Sequence, residues 1–334
     1  MKILVTGGFG FVGSHLVERL FKEGHEITII DNLSTGNIKN LIGIPLNEIN
    51  FIKENIEDID FDIHGLYEFD EVYHLAASVG VKNVLAFPLQ CINSNIDGTK
   101  NLLDTFVRFK SEDIAYKYPK IFIASTSEVY GKNDKWRLTE EDDRITGSTQ
   151  KKRWVYAETK AMDEFLANIY AEQYGMKIII ARFFSIVGPR QCSRYGMVLP
   201  AFVEQAISGA DITIYGDGTQ IRSFMHVNDC LDCVLSLMRE YKLGDDHSQV
   251  FNVGNPDPVM IRDLAWRVRH FSESKSRLVY IPYVKAYEYG FEDMRRRVPS
   301  IDKLESYINV IAQNFKDLDE IIEDTIKYFR EGDR

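Results

Sequence analysis

The 334-residue chain has little that would suit a membrane or a nucleic acid. No apolar run approaches the roughly 18 residues that a membrane-spanning helix needs. The opening residues, MKILVTGG, reach glycine after one short strand, which is not the pattern of a signal peptide. Lys and Arg number 40 against 50 Asp and Glu, and the resulting formal charge of −10 argues against general binding of nucleic acid.

Cysteine is also scarce, with Cys91, Cys192, Cys230 and Cys233 the only four. The last two have the C-x-x-C spacing of a redox or metal site, but neither a second pair nor a following histidine accompanies them. They lie in VNDCLDCVLSLM, whose pattern predicts a helix with buried thiols. We therefore expect reduced cysteines, no metal site and a cytoplasmic protein.

Short apolar runs alternate with helical patterns through the first half of the chain. The strand-like runs are KILVTG, EITIID, EVYHLAA, IFIASTS and KIIIARF. This alternation predicts an α/β fold in which helices cover both faces of a doubly wound parallel sheet. We place that domain over residues 1–184, with segments near 224–254 returning to it. A smaller, mixed α/β region is expected over 185–334, and no linker separates the two, so they should share a cleft.

The first predicted strand runs into a glycine-rich turn, TGGFGFVG. Gly7, Gly10 and Gly13 are spaced so that the backbone can turn sharply and approach a pyrophosphate at the start of the next helix. The second strand ends in Asp31, whose carboxylate can accept hydrogen bonds from the ribose hydroxyls of an adenosine. Together these features predict a dinucleotide site. Asn32 follows with no arginine near it to receive a 2′-phosphate, so NAD is favoured over NADP.

The segment WVYAETKAMDEF carries a second signal. Tyr156 and Lys160 lie four residues apart on a predicted helix, and therefore on one face. A free tyrosine has a pKa of about 10, but a lysine cation and a positive nicotinamide ring would favour its phenolate. Thr126, at the end of a predicted strand, can hold the same substrate hydroxyl. The three residues predict removal of a proton from an alcohol as its hydride leaves for the nicotinamide.

With these motifs the chain resembles, over nearly its whole length, the extended short-chain dehydrogenases/reductases that act on nucleotide sugars, a Rossmann-type family. The likeness is carried by TGGFGFVG, YHLAA, NIDGT, STSEVYG, YAETK, RFFSIVGPRQ, YGDGTQIRSF and FEDMRRRVPS. Within the family, TSEVYG, the RW-Y---K pattern and the late RRRVPS are most similar to the UDP-glucuronate decarboxylases, the UDP-xylose synthase group.

The resemblance implies which residues form the site. Thr126, Tyr156 and Lys160 match the family's catalytic triad. Arg222 matches an arginine that grips the nucleotide diphosphate, which would give this acidic chain a local basic pocket.

Other contacts are implied by the same resemblance. Ser185 stands where the family's usual asparagine lies, so a shorter contact to the UDP-sugar is expected there, and Arg190 is expected to bind substrate as well. Besides the triad, the glycines, Asp31 and Asn32, the implied cofactor contacts are Phe11, Val12, Asn55, Ile56, Leu75, Ala76, Ala77 and Asn95.

Glu128, in STSEVYG, bears on the reaction. By resemblance, all these enzymes first oxidise the sugar's 4-hydroxyl to a ketone, and a uronic acid oxidised there can lose carbon dioxide. The related 4,6-dehydratases use an adjacent Asp-Glu pair, but the acid's position is Ser127 here, which favours decarboxylation over dehydration. Glu128 is then expected to order substrate or water, with Arg297 near it as a carboxylate-binding or proton-managing residue.

Three other functions stay open on the sequence. A 4-epimerase would use the same triad but would give Glu128 no clear task. A retaining nucleotide-sugar 4,6-dehydratase is similar around TSEVYG. A non-catalytic dinucleotide-sensing module would tolerate loss of Tyr156 or Lys160, and both are present.

Two helical segments suggest self-association. NIDGTKNLLDTFVRF and YAETKAMDEFLANIYAEQYG carry more apolar positions than one sheet face needs. The family resemblance places them in a two-fold four-helix interface, so a homodimer is expected.

The choice of cofactor can be measured directly. Because Asp31 would repel a 2′-phosphate, we expect NAD to bind at least about tenfold tighter than NADP, or about 1.4 kcal/mol. Calorimetry on the nucleotide-free protein gives both affinities, and Asp31→Ser should narrow the difference. Equal or reversed affinities in the wild-type protein would contradict the prediction.

Overall fold

A computed structural model describes residues 1–41, 43–241, 247–286, 292–309 and 312–332. Phe291, the first residue of the FEDMRRRVPS motif, lies outside these ranges.

The described residues form short strands throughout the chain. They are β1 (Lys2–Thr6), β2 (Glu26–Ile30), β3 (Asn50–Ile52), β4 (Glu71–His74), β5 (Lys120–Thr126), β6 (Lys177–Phe183), β7 (Ile186–Val187), β8 (Ile212–Tyr215), β9 (Ile221–Ser223), β10 (Met225–His226), β11 (Ser248–Val253), β12 (Pro258–Met260), β13 (Leu278–Ile281) and β14 (Arg296–Arg297).

Helices separate most of these strands. They are α1 (Phe11–Lys22), α2 (Val81–Ala86), α3 (Pro88–Ile92), α4 (Gly98–Glu112), α5 (Val155–Tyr174), α6 (Val198–Ser208), α7 (Val227–Glu240), α8 (Ile261–Phe271), α9 (Tyr283–Ala286), α10 (Asp302–Tyr307) and α11 (Leu318–Glu331). A π-helical turn, Asn93–Asp97, joins α3 to α4.

The large sheet has seven parallel strands in the order β3-β2-β1-β4-β5-β6-β11. The order reverses between β1 and β4, the place where open α/β sheets bind ligands at the carboxyl ends of their strands. His74, the last residue of β4, pairs with Ile123, so β5 extends beyond β4 to Thr126. The end of β5 therefore extends past β4 at the carboxyl edge of the sheet, beside the switch point.

Apolar helix faces cover both sides of this sheet. On one side, Leu16 of α1 and Leu231 of α7 pack in a core with Val5 of β1. On the other side, Phe106 of α4 and Ala171 of α5 pack in a second core with Ile121 of β5. Burial on both faces explains why the strands read as continuous apolar runs rather than as alternating ones.

A smaller region packs beside the large sheet. It contains the pair β8-β13 and the three-stranded sheet β12-β9-β14, with α6, α8 and α11 around a third apolar core. In the three-stranded sheet, β14 runs parallel to β9 and Arg297 pairs with Arg222. This pairing brings two predicted site residues together from distant parts of the sequence.

A buried polar network ties β5 to its neighbours. The Ser125 hydroxyl donates to Glu164 of α5, and Arg182 of β6 donates to both Glu164 oxygens. Arg182 also donates to the Tyr130 hydroxyl at 2.9 Å, and that hydroxyl donates to Asn252 of β11 at 2.7 Å. Because buried polar groups need partners, this network fixes the strand that carries Thr126 against α5.

The predicted α/β, Rossmann-type fold with a doubly wound parallel sheet is confirmed. β11 lies at the edge of the large sheet, whereas the boundaries placed at 184 and 185 stay a prediction. Cys230 and Cys233 are free, buried thiols on α7. Among the helices in the described ranges, none has both the length and the apolar character of a membrane span.

Candidate active site

The glycine-rich turn after β1 leaves room only for backbone. Gly7 has a φ of 73°, and a Cβ there would lie 2.8 Å from the backbone nitrogen of Ala76. A Cβ on Gly13 would lie 2.1 Å from the carbonyl oxygen of Gly7, so the helix could not pack so close to the turn. Glycine is required at both positions by the close approach of main chain.

The N-terminus of α1 opens onto this turn. The helix begins at Phe11 and has no acidic residue in its first turn, so nothing repels an anion there. Phe11 and Val12 bring the unpaired backbone N–H groups of a helix start. A helix start next to a glycine turn is suited to a pyrophosphate.

Asp31 is held at the end of β2. Its carboxylate accepts hydrogen bonds from the backbone N–H of Phe9 at 2.9 Å and of Leu33 at 2.8 Å. Burial raises its pKa, although these two bonds oppose the rise. Beside it, the Asn32 side chain donates to Oδ1 of Asn55 at 2.9 Å. The carboxylate and the two amides form a polar rim suited to ribose and adenine.

The loop after β4 packs against the end of β1. The N–H of Leu75 donates to the Thr6 carbonyl, and the N–H of Ala76 donates to the Thr6 hydroxyl, both at 3.1 Å. His74 is hydrogen-bonded to Thr6 and Thr99. Burial lowers the pKa of His74 to about 3, so the ring is neutral. Ala77 follows in this loop, and Ile56, the neighbour of Asn55 in the chain, is buried in the second core.

Asn95 lies in the π-helical turn between α3 and α4. Its side-chain carbonyl accepts from the N–H of Ser78 at 2.8 Å, and its amide donates to Thr159 of α5 at 2.9 Å. The side chain is 1% exposed. Asn95 therefore joins the loop beyond β4 to the helix that carries Tyr156 and Lys160.

The predicted triad is brought together at the carboxyl end of β5. Thr126 is the last residue of that strand, and its hydroxyl accepts from the N–H of Glu128 at 3.2 Å. Tyr156 lies near the start of α5, where the Thr126 side chain acts to lower its pKa. Burial and the negative charge of Glu128 raise the pKa of Tyr156, so the phenol keeps its proton in the protein alone. Lys160, one turn further along α5, is 2% exposed. A positive ligand charge would be needed to favour the phenolate.

Glu128 lies between two arginines. Its Oε2 accepts from Nη1 of Arg153 at 2.7 Å, and its Oε1 accepts from Nη1 of Arg297 at 3.1 Å. Burial alone would raise the pKa of Glu128, but the two guanidinium charges and their hydrogen bonds outweigh it and hold the pKa at about 2. The carboxylate is therefore ionised at neutral pH and is not a general acid.

Arg153, Glu128 and Arg297 form an ion triad, and Arg222 lies beside it. Its Nη2 donates to Asp293 at 3.1 Å, and its Cα pairs with that of Arg297. Burial and the charge of Arg222 lower the pKa of Arg297. Arg297 also donates to the Ser185 hydroxyl at 3.4 Å. The result is a cluster of buried and half-buried guanidinium groups within a net acidic chain.

Two predicted site residues have unusual backbone conformations. Ser185 has a φ of 41° and Arg190 a φ of 69°, values that most non-glycine residues avoid. Arg190 donates to Glu18 at 2.6 Å and to the Ser14 hydroxyl at 3.5 Å, so its side chain packs against α1. The structure thus places the Arg190 side chain beside α1, whereas Ser185 contacts Arg297.

Sequence reasoning missed Arg153 as a site residue. It ends the run KKR, which looks like a solvated basic turn, yet Arg153 is 6% exposed. The RW-Y---K pattern contained the signal, because an arginine three residues before a helical tyrosine lies about one turn away from it. Among the described residues, no three His, Cys, Asp or Glu side chains group as metal ligands would.

Residues 3–254 match the NAD dependent epimerase/dehydratase family. This match covers well over half of the chain, so the protein belongs to that family. The prediction of NAD as cofactor is thereby confirmed. The close-packed glycines, the open start of α1 and the Asp31 rim fit such a dinucleotide.

Individual relatives cover nearly the whole chain. The UDP-N-acetyl-alpha-D-glucosaminuronate decarboxylase of Bacillus cytotoxicus is 37% identical, over 99% of this chain and 98% of that one. UDP-glucuronic acid decarboxylase 1 of Danio rerio is 32% identical, over 98% of this chain and 72% of that protein. The UDP-glucuronic acid 4-epimerase of Bacillus cereus, solved with UDP-glucuronic acid and NAD, is 28% identical with a TM-score of 0.83 over 99% of both chains. The predicted likeness to the decarboxylases is confirmed.

The ion triad makes stability depend on pH in a defined direction. The pKa of Glu128 is about 2 in the folded protein, below the value of about 4.3 for an unfolded chain. The ionised carboxylate therefore contributes its full stabilisation at pH values above the pKa of the unfolded chain. That stabilisation is lost as the pH falls through the pKa of the folded protein. We therefore expect Glu128→Gln to unfold at lower urea concentration than wild type at about pH 6, with the difference shrinking toward about pH 3.

Glu112→Gln is the matched control for this measurement. Glu112 lies at the exposed end of α4, so this variant should follow the wild type at every pH. A difference between Glu128→Gln and wild type that stayed constant with pH would contradict the assignment.

Proposed function

We propose that the protein is an NAD-dependent decarboxylase of UDP-linked uronic acids and that it works through a 4-keto intermediate. The observation that carries the proposal is the ion triad of Arg153, Glu128 and Arg297 beside Thr126 and Tyr156. Two arginines on one carboxylate leave guanidinium charge for a uronate carboxylate, which a neutral sugar lacks, so the ion triad supports a uronate substrate. The decarboxylases among the relatives support the same assignment.

The first step is oxidation at carbon 4. NAD, when bound, would supply the acceptor for the hydride of this oxidation and the source of the hydride for the final reduction. Thr126 holds the 4-hydroxyl, and Tyr156 takes its proton as the hydride leaves. Lys160 stabilises the phenolate. The sugar then carries a ketone next to the carbon that bears its carboxylate.

The second step is loss of carbon dioxide. The bond between carbons 5 and 6 breaks, and its electron pair moves onto the ketone oxygen, where the Tyr156 hydroxyl stabilises the enolate. A proton from solvent then reaches carbon 5 and restores the ketone. The Ser127 hydroxyl is buried without a hydrogen-bond partner among the described residues, so it is available to the sugar.

Charge selects the substrate. Arg153, Arg222 and Arg297 supply three positive charges against the carboxylates of Glu128 and Asp293. The surplus is positive at a buried site, which suits an anionic substrate. We assign Arg222 to the diphosphate, because a guanidinium fork matches phosphate geometry. Arg153 and Arg297 are assigned to the uronate, with Glu128 holding both in place.

The remaining assignments also form part of the proposal. We assign Ser185 to the substrate site, where its hydroxyl accepts a hydrogen bond from Arg297. Arg190 is assigned to the side of the site next to α1, where it donates to Glu18. We further propose that the protein works in the cytoplasm, where its four free cysteines would stay reduced. We also propose that residues 1–184, with segments near 224–254, form the NAD-binding domain and that residues 185–334 mainly form the domain that binds the nucleotide sugar.

Product masses test the function. Incubated with UDP-glucuronate or its N-acetylated analogue, the wild-type protein should release carbon dioxide, whereas loss of water or an unchanged mass would indicate a dehydratase or an epimerase. Tyr156→Phe should abolish both reduction of the cofactor and release of carbon dioxide. Glu128→Gln should slow carbon dioxide release at least about tenfold more than oxidation, because Arg153 and Arg297 lose their common anchor. Reduced cofactor should then accumulate in a single turnover.

Arg296→Gln is the matched control. Arg296 is the neighbour of Arg297, but its side chain contacts Asp134 and Trp136 rather than Glu128. This variant should turn over at the wild-type rate. If Glu128→Gln also decarboxylates at that rate, the carboxylate is structural and its assigned task at the substrate is wrong; if the wild-type protein changes UDP-glucuronate without changing its mass, epimerisation becomes the better proposal.

We also propose a homodimer formed through α4 and α5. Met162, Phe165 and Ile169 form a stripe along α5, and they are 45%, 54% and 45% exposed. Such a stripe is costly in water and suits a second copy of the helix pair. Light scattering at micromolar concentration should report a dimer, and Phe165→Glu a monomer. A wild-type monomer would contradict the proposal, and Glu172→Gln at an exposed α5 position serves as control.

A further inference from the structure

Lys160 has a carboxylate partner inside the protein. Its Nζ donates a hydrogen bond to Oδ2 of Asp163, one turn along α5, at 2.7 Å. The two side chains are 2% and 0% exposed. The other oxygen of Asp163, Oδ1, is buried, and the Thr99 hydroxyl of α4 is the further group that lowers the pKa of this carboxyl. Because burying charge is costly, an ion pair at this depth beside the triad needs a reason.

Three titratable groups from other elements face this pair and Tyr156. His74 of β4 is neutral, since burial lowers its pKa to about 3. Cys91 of α3 is a neutral thiol, since burial raises its pKa. Glu128 has a pKa of about 2 and stays ionised between Arg153 and Arg297. None of the three changes charge near neutral pH.

On α5 itself, Glu164 follows Asp163. Its carboxylate is taken up by Arg182, with contacts of 2.7 to 3.2 Å, and by the Ser125 hydroxyl. Burial raises the pKa of Asp163, while the Lys160 charge pulls it down. Glu164 thus belongs to the hydrogen-bond network that joins β5 to α5, and Asp163 is the carboxylate that pairs with Lys160.

We propose that Asp163 is a positioning residue that acts as the counter-ion of Lys160: it limits the constant effect of the lysine charge on Tyr156, so that the change in protonation of Tyr156 follows the charge of the nicotinamide ring. This inference rests on the proposed function, which puts that ring beside Tyr156.

The reaction explains why such a counter-ion is useful. Tyr156 must accept a proton while the ring is positive and must return it after the ring has become neutral. An uncompensated lysine cation would favour the phenolate in both halves of the cycle. With Asp163 offsetting Lys160, the ring's own charge is what changes at the site. Tyr156 is then a base in one half of the reaction and an acid in the other.

Cofactor affinities test this inference without any substrate. In Asp163→Asn the Lys160 charge is no longer offset, so it repels the positive ring of NAD but not the neutral ring of NADH. Calorimetry should show the affinity for NAD relative to NADH falling about tenfold. In a single turnover, the rise of oxidation with pH should move about one unit lower, because the freed cation favours the phenolate.

Two further variants separate charge from structure. Glu158→Gln removes a carboxylate from the same helix, where Glu158 pairs with Arg144 on the surface at 2.8 Å, and should change neither measurement. Lys160→Met/Asp163→Asn removes both charges and should restore the affinity ratio to within about twofold of wild type. This double variant also decides the matter if the single variant does not fold.

The inference is overturned if folded Asp163→Asn keeps the wild-type affinity ratio, or if the double variant shows a ratio changed about tenfold from wild type. Failure of the proposed function looks different, since no UDP-uronate would then lose carbon dioxide while the affinity ratio could still respond to Asp163→Asn.

Discussion

The site depends on one carboxylate that is shared by two buried arginines. Glu128 follows β5, Arg153 precedes α5 and Arg297 belongs to β14, so their contacts join the large sheet, the helix of Tyr156 and the smaller region. None of the three charges could be buried alone, because an unpaired ion in the interior is strongly destabilising. The end of β5, the start of α5 and β14 are therefore held in register by charge, in addition to the apolar contacts of Trp154 and Ala157 with Met294.

Much of this arrangement could be predicted from the sequence because its cause is local. Gly7 and Gly13 are required by backbone contacts within one turn, and Asp31 ends a strand that the apolar pattern makes plain. Tyr156 and Lys160 share a face through helical spacing alone. Arg222 and Arg297 were implied by family resemblance, and the parallel pairing of β9 with β14 sets them side by side.

What the sequence could not supply was burial and partnership. Lys152 and Arg153 are adjacent cations, yet one is exposed and the other buried, and only the packing of the segment before α5 decides which. Asp163 likewise looks like any polar residue on a long helix until α5 is packed against α4 and the sheet. The pairing of Arg222 with Asp293 joins residues that are distant in the chain, and periodicity carries no information about such contacts.

The position of β14 in the chain has a consequence for synthesis. A ribosome has already released all seven strands of the large sheet, ending with β11, before it adds Arg297. A nascent chain at that stage has the glycine turn, the Asp31 rim and the triad, but Glu128 still lacks one of its two guanidinium partners. The residues of the dinucleotide site are thus all synthesised before the sugar site has its last guanidinium group. The core beneath the glycine turn is also finished late, because Ile301, Leu304 and Ile308 of the last part of the chain pack in it.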